Sequence, residues 1–250
     1  MHRFFEEIEG IKNPGEELVL TEDNHDHLSK SLRMRMGDTI VICDGNRTDY
    51  VARIQEMTKK ETKVVVESRL LNASEAPVSI TLFQGIPKGQ KMDVIVQKAV
   101  ELGVTTIVPL YTHRSIPKER DMQKKIIRWN KIALEAAKQS GRGMIPQVEE
   151  SVELLDLSQK LSDHHVNLVA YEEQQNQQLK HILTKRPMPV SAGIIIGPEG
   201  GFDPSEIRWL EQRHVQVVGL GPRILRTETA AMAMLSMMLY EWELAVGGNE

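Results

Sequence analysis

The spacing of apolar and polar positions divides the chain into two parts. Up to Leu71 the apolar residues alternate with polar ones or form short runs between turn residues, as in "TIVICDGNRTDYVARI" and "KVVVESRLL", which predicts strands. Asp44-Gly45-Asn46 between two such runs predicts a hairpin turn, because these residues tolerate positive φ. One short helical stretch near "HDHLSKSLRMR" interrupts the strands, and together they predict a small β-barrel over residues 1–72. The polar "NASEAP" follows as a linker.

Beyond Pro77 strand-like and helix-like segments alternate. "VSITLFQG", "TTIVPLY", "VNLVAY", "AGIIIG" and "VQVVGLG" read as strands; "KMDVIVQKAVELG", "QKKIIRWNKIALEAAKQSG", a polar stretch around "NQQLKHIL", "PSEIRWLEQRH" and the C-terminal run read as helices. This order predicts an α/β fold over 73–250, with a mostly parallel sheet covered on both faces. Met92, Ile95, Ala99 and Leu102 recur at helical spacing ahead of Gly103, and Trp129, Ala133, Ala136 and Ser140 mark a second stripe ahead of Gly141.

Composition narrows the function classes. With 250 residues, 40% hydrophobic and 26% charged, the chain has the profile of a soluble globular protein. The charged start "MHRFFEEIEG" does not read as a signal peptide, and "TAAMAMLSMMLYEWELAV" is broken by Ser236, Glu241 and Glu243, so the expectation is a cytoplasmic protein without a membrane span. A single cysteine, Cys43, excludes an internal disulfide and reads as a core residue. His25 with His27, and His164 with His165, lack partners at metal-site spacing, so no metal is expected. A net charge of −4 argues against non-specific coating of nucleic acid, but leaves room for an RNA partner met through basic patches. "KSLRMR" and "KKIIR" are two such patches, and equally fit solvated helix faces.

Two glycine-rich turns carry the candidate chemistry. "IIIGPEGGF" and "VVGLGPRILRTETA" each end an apolar run in glycine and proline before a helix-like stretch. In an open parallel sheet ligands bind beyond the carboxyl ends of the strands, where glycines let the backbone approach closely. "GLGPRI" lacks the third glycine of a dinucleotide fingerprint, "GIPKGQK" lacks the spacing and hydroxyl residue of a phosphate-binding P-loop, and no nucleophile elbow is present.

"KGQKMDVIVQKAVELGV", "EAAKQSGR", "IIGPEGGF" and "LGPRILRTETA" resemble, in order and spacing, the RsmE family, bacterial 16S ribosomal RNA (uracil-N3)-methyltransferases of the SPOUT superfamily. The "HLSKSLRMRMGDTIVICDG" stretch looks like that family's PUA-like RNA-binding barrel. The resemblance implies a SPOUT-type parallel sheet with a C-terminal trefoil knot, S-adenosylmethionine held by the knot loops, 16S rRNA within the assembled small ribosomal subunit as substrate, and a homodimer formed through the knotted domain. On that basis the cofactor residues are expected to be Ile196, Gly197, Pro198, Glu199, Gly200, Gly201, Leu220, Gly221, Arg223, Ile224, Leu225, Thr227 and Ala230. Arg114, Arg142, Glu199 and Arg226 are the catalytic candidates, with Arg223 and Glu228 as further ones. Lys30, Arg33, Arg35, Lys88, Lys98 and Arg142 are the RNA-binding candidates. Lys98 also suits an i,i+3 surface pair with Glu101. An RNA-binding protein of the same fold without catalysis, or methylation at another RNA site, is the alternative.

Overall fold

A computed structural model describes residues 1–115, 121–174, 179–185 and 187–247. The chain parts into two compact units: Met1–Glu75 with Ala137–Ile145, and Ala76–Ala136 with Pro146–Glu250.

The first unit is a five-stranded sheet. Its strands are β1 (Arg3–Phe5), β2 (Glu17–Thr21), β3 (Thr39–Cys43), β4 (Thr48–Met57) and β5 (Glu61–Leu71), with helix α1 (Glu22–Asp26) and a π-helical turn (His27–Ser31) following β2. The order is β1-β3-β4-β5-β2; β1 runs parallel to β3 and the other pairings are antiparallel. Register shifts at Val51/Ala52 and Ile54/Glu56 bend the long β4–β5 ribbon, as bulges do. One face buries Phe4, Leu20, Leu28, Ile40, Ile42, Tyr50, Ile54 and Val64, so the alternation seen in the sequence is the alternation of inward and outward side chains. The hairpin falls at Asp44, whose carboxylate accepts from the amides of Asn46 (2.7 Å) and Thr48 (3.0 Å). Along this ladder β1 and β2 are the two ends, so the predicted barrel takes the form of a curled sheet.

Residues 137–145 group with the first unit although they follow 72 in sequence. The Gly141 carbonyl accepts from Asn72 Nδ2 and Ser74 Oγ, and the Gly143 carbonyl accepts from the Arg47 amide (2.9 Å) and Cys43 Sγ (3.3 Å). These long-range bonds tie the segment to the first unit, and sequence spacing carries no trace of them. Cys43 is wholly buried, and burial pushes its thiol up to about 12, in keeping with a core residue.

The second unit is an α/β layer structure. Its strands are β6 (Ser79–Gly85), β7 (Thr106–Tyr111), β8 (Gln147–Val148), β9 (Val152–Glu153), β10 (Val166–Ala170), β11 (Ser191–Ile196) and β12 (Gln216–Val218). Its helices are α2 (Lys91–Glu101), α3 (Met122–Ser140, whose last residues belong to the first unit), α4 (Ser158–Ser162), α5 (Leu179–Leu183), α6 (Pro204–Glu211) and α7 (Thr227–Gly247). All seven strands are parallel, in the order β12-β10-β11-β6-β7-β8, with β9 also on β7. The central strands are buried on both faces, which is why they read as continuous apolar runs rather than alternations. On one face Phe83, Val108, Val169, Ile195 and Val217 join Phe202, Ile207 and Leu210 around α6. On the other, α7 packs against α2 and β11.

The predicted strands and helices that border the site all form. Residues 176–178 of the predicted "NQQLKHIL" helix lie outside the described residues, and the rest of it is α5. The short elements β8, β9 and α4 were not legible, being two to five residues long. Among the described residues no helix is long and apolar enough to cross a membrane.

Candidate active site

The parallel order places β11 between β10 and β6, and the loops leaving these strands meet at their carboxyl ends. The Gly197–Asp203 loop after β11 ends in a capping box. Asp203 accepts from the Ser205 amide (2.9 Å), Glu206 accepts from the Asp203 amide (2.8 Å), and Pro204 opens α6. Glu206 Oε1 also accepts from the His113 amide (2.7 Å), joining this helix start to the loop after β7. Arg114, on that same loop, donates to the Gly200 carbonyl at 3.0 Å and lies 3.7 Å from Asp203. Gly201, at φ +66°, completes the turn, its amide donating to the Pro198 carbonyl.

The second glycine loop runs from the edge strand β12 across to the start of α7. There Thr227 Oγ1 donates to the Gly197 carbonyl (2.6 Å) and accepts from Gln84 Nε2 (2.9 Å) at the end of β6. One buried hydroxyl therefore connects three segments that are distant in sequence.

Between the loops lies a cleft with two lobes. The larger, about 360 Å³, is lined by Ile196, Gly197, Pro198, Glu199, Gly201, Ile224, Leu225, Arg226, Thr227 and Ala230, together with Lys91, Ala170, Glu172 and Phe202. The smaller, about 90 Å³, is lined by Leu220, Gly221, Arg223, Ile224, Leu225 and Ala230, with Ala170, Tyr171, Glu172, Gly219 and Pro222. Twelve of the thirteen expected cofactor residues thus meet at one cleft. The thirteenth, Gly200, turns to Arg114, whose Cβ a methyl group at Gly200 would approach to 3.1 Å.

The charged candidates sort by environment. Glu199 accepts from the Lys88 amide (3.1 and 3.2 Å) and from Lys91 Nζ (2.8 Å). Burial alone would raise its pKa, but the bonds from Lys91 and Lys88 outweigh it and hold the carboxyl below its ordinary value. A carboxylate so satisfied is a poor proton acceptor and a good anchor for its loop. Lys91 also stands 3.9 Å from Glu228, whose buried Oε2 has no hydrogen-bond partner among the described residues. Among the described residues the Arg223 and Arg226 guanidiniums have no ion-pair partner, and both are exposed beside the cleft.

Two of the expected residues stand in ion pairs away from the cleft lining. Arg142 belongs to the first unit and lines neither lobe. It is 3% exposed, and its guanidinium forks onto Glu75 (Nε–Oε1 2.9 Å, Nη2–Oε2 2.7 Å), so it holds the fold and presents no free charge to RNA. Lys98 pairs with Glu101 at 2.8 Å along α2, the i,i+3 alternative. Lys30 pairs with Asp26 at 2.7 Å and is exposed; Arg33, at φ +52°, Arg35 and Lys88 are exposed as well. The sequence reading missed Lys91 and Glu172. Lys91 opens α2 within a quoted motif, and Glu172 stands just beyond the carboxyl end of β10, the position where an open parallel sheet presents ligand-binding groups.

S-adenosylmethionine suits this cleft in room and polarity. The glycines leave backbone unshielded, and the packing leaves no space for side chains: a Cβ at Gly219 would lie 2.2 Å from the Gln174 carbonyl oxygen, and one at Gly201 would lie 2.7 Å from Glu172 Oε1. Carboxylates and backbone groups face a molecule carrying a sulfonium, an ammonium and two ribose hydroxyls. Among the described residues no cluster of three or more His, Cys, Asp or Glu stands where it would hold a metal ion.

Known proteins share this architecture. Residues 74–239 match the RNA methyltransferase domain family and residues 20–67 the RNA methyltransferase PUA domain family. The Bacillus subtilis ribosomal RNA small subunit methyltransferase E is 35% identical, the match covering 99% of each chain. The Neisseria gonorrhoeae protein of the same name, solved bound to S-adenosylmethionine, has a TM-score of 0.85 at 31% identity, with 97% of this chain and 98% of that one covered. A Legionella pneumophila methyltransferase solved with the same cofactor has a TM-score of 0.82 at 33% identity, with 94% and 96% covered. With its parallel sheet, its glycine-loop cleft and full-length likeness to these proteins, the chain belongs to the ribosomal RNA small subunit methyltransferase E family.

Proposed function

We propose that the chain methylates N3 of one uridine in 16S rRNA, taken within the assembled small ribosomal subunit in the cytoplasm, with S-adenosylmethionine as methyl donor. The observation that carries this reading is the two-lobed cleft built by both glycine loops, with Arg223 and Arg226, unpaired among the described residues, at its edge. Bound there, the cofactor supplies an electrophilic methyl group. Twelve residues of the cleft hold it, and Glu199, fixed by Lys91, sets the position of the first loop.

Uracil N3 carries a proton, and the neutral nitrogen is a weak nucleophile. The chain's task is therefore to lower the cost of the N3 anion, and fixed cations in a partly dry cleft do this. Arg226, which lines the larger lobe, is the group placed for it, with Arg223 beside it. Arg114 acts through the Gly200 carbonyl as a positioning residue. Lys30, Arg33 and Arg35 of the PUA domain and Lys88 near the cleft supply charge for RNA phosphate.

The path of the second glycine loop, from edge strand β12 past Ala170 and Ile196 to Thr227, supports the trefoil knot of the SPOUT fold. The exposed apolar residues Ile224, Met237 and Tyr240 on that loop and on α7 support pairing of two copies through this domain.

Transfer of a labelled methyl group to small-subunit RNA tests the function. Wild-type protein is expected to label 16S rRNA in intact subunits better than free RNA, and Arg226→Ala to lose most of the rate while still binding the cofactor. Cofactor binding without any transfer to either form would leave an RNA-binding protein of the same fold.

A further inference from the structure

The two lobes of the cleft share five residues, Ala170, Glu172, Ile224, Leu225 and Ala230, and Glu172 is the one charged side chain among them. Its carboxylate lies against Gly201, near enough that a methyl group there would stand 2.7 Å from Oε1. Among the described residues it has no hydrogen-bond or ion-pair partner, whereas Glu199, the other carboxylate lining the cleft, is already held by Lys91 and the Lys88 amide. The cleft thus presents one carboxylate with free acceptor positions, placed where the lobes join.

S-adenosylmethionine is a base and an amino acid joined through a ribose. If the base occupies one lobe and the methionine the other, the ribose falls at the junction, whichever lobe takes which end. A carboxylate there offers acceptors to two neighbouring hydroxyls, the same chemistry by which an acidic residue reads a ribose in dinucleotide-binding folds. We infer that Glu172 is a cofactor-binding residue that accepts hydrogen bonds from the ribose hydroxyls of S-adenosylmethionine. This rests on the reading of the cleft as the cofactor site.

Isothermal titration of wild type, Glu172→Gln and Glu172→Ala with S-adenosylmethionine, S-adenosylhomocysteine and 2′,3′-dideoxy-S-adenosylhomocysteine tests it. Hydrogen bonds to a charged group are worth roughly tenfold each in affinity. Glu172→Ala is therefore expected to weaken the first two ligands alike, by about tenfold or more, with Glu172→Gln between it and wild type and the dideoxy analogue bound equally by all three proteins. A loss confined to S-adenosylmethionine would mean that the carboxylate answers the sulfonium charge, and equal binding of every ligand by every variant would mean that it answers nothing; either overturns the inference. A wild-type protein that binds none of the ligands would instead bring down the cofactor site itself.

Discussion

Thr227 Oγ1 donates a 2.6 Å hydrogen bond to the Gly197 carbonyl while accepting one from Gln84 Nε2, so the first residue of the last helix fastens the first glycine loop to the central strand of the sheet. Thr227 is buried, and Thr227→Val would strip the bond from the Gly197 carbonyl and from one donor proton of Gln84 without changing the shape. A loss of about 1–3 kcal/mol in urea unfolding is expected, with weaker cofactor binding, and Thr227→Ser should restore most of both. A fully stable, tightly binding valine variant would show that this bond does not organise the cleft.

The first loop also presses on the end of β6. A Cβ at Gly85 would lie 2.5 Å from the backbone nitrogen of Pro198, a neighbour that cannot swing aside as a long side chain does. Gly85→Ala should destabilise the protein by about 1–3 kcal/mol and lower cofactor affinity through displacement of the Pro198–Gly201 turn. Unchanged melting and unchanged calorimetry would refute that account.

Arg142 and Glu75 form a buried pair, 3% and 5% exposed at their side chains. Arg142→Met leaves Glu75 buried without its partner and should cost about 3–5 kcal/mol, part of which Glu75→Gln in the same chain should return. Burial pushes the Glu75 carboxyl up, but Arg142 and the Gly143 and Met144 amides pull it below its ordinary value. A depressed folded pKa gives stability that is complete above the unfolded value of about 4.3 and is lost as pH falls through the lower folded value. Urea midpoints measured downward from pH 6 should show this acid-side loss in wild type, and Glu75→Gln should lack that component. A variant of Arg142 that keeps full stability yet loses RNA affinity would return the residue to the RNA-contacting role.

On the exposed side of α7, Met237 is 44% and Tyr240 69% exposed, and Ile224 on the second glycine loop is 87% exposed. Apolar side chains left in water around a functional loop are expected to be covered by a second copy. Light scattering at micromolar concentration should give a mass near twice 28.3 kDa, and Tyr240→Asp should shift it toward one chain. A wild-type monomer would contradict the pairing.

The layer order was legible because buried parallel strands and amphipathic helices leave opposite periodicities, plain in "SAGIII" and in Met92, Ile95 and Ala99. The glycine loops were legible because close approach of backbone restricts what can stand at Gly197, Gly201 and Gly219. The burial of Arg142 was not legible because a motif records residue type and spacing but not burial; its partner Glu75 is 67 residues away. Lys91, inside a quoted motif, and Glu172, just past a predicted strand, had local signals, but only the sheet order brings the ends of β10, β11 and β6 to one cleft.

Nucleoside mass spectrometry of 16S rRNA tests the central claim most directly, using small subunits that lack the modification and are incubated with the protein and S-adenosylmethionine. The account predicts one new N3-methyluridine per rRNA, formed by wild type and strongly reduced by Arg226→Ala. A methyl group found instead on another base position or on a ribose, or no new methylated nucleoside from protein that binds the cofactor, would contradict it.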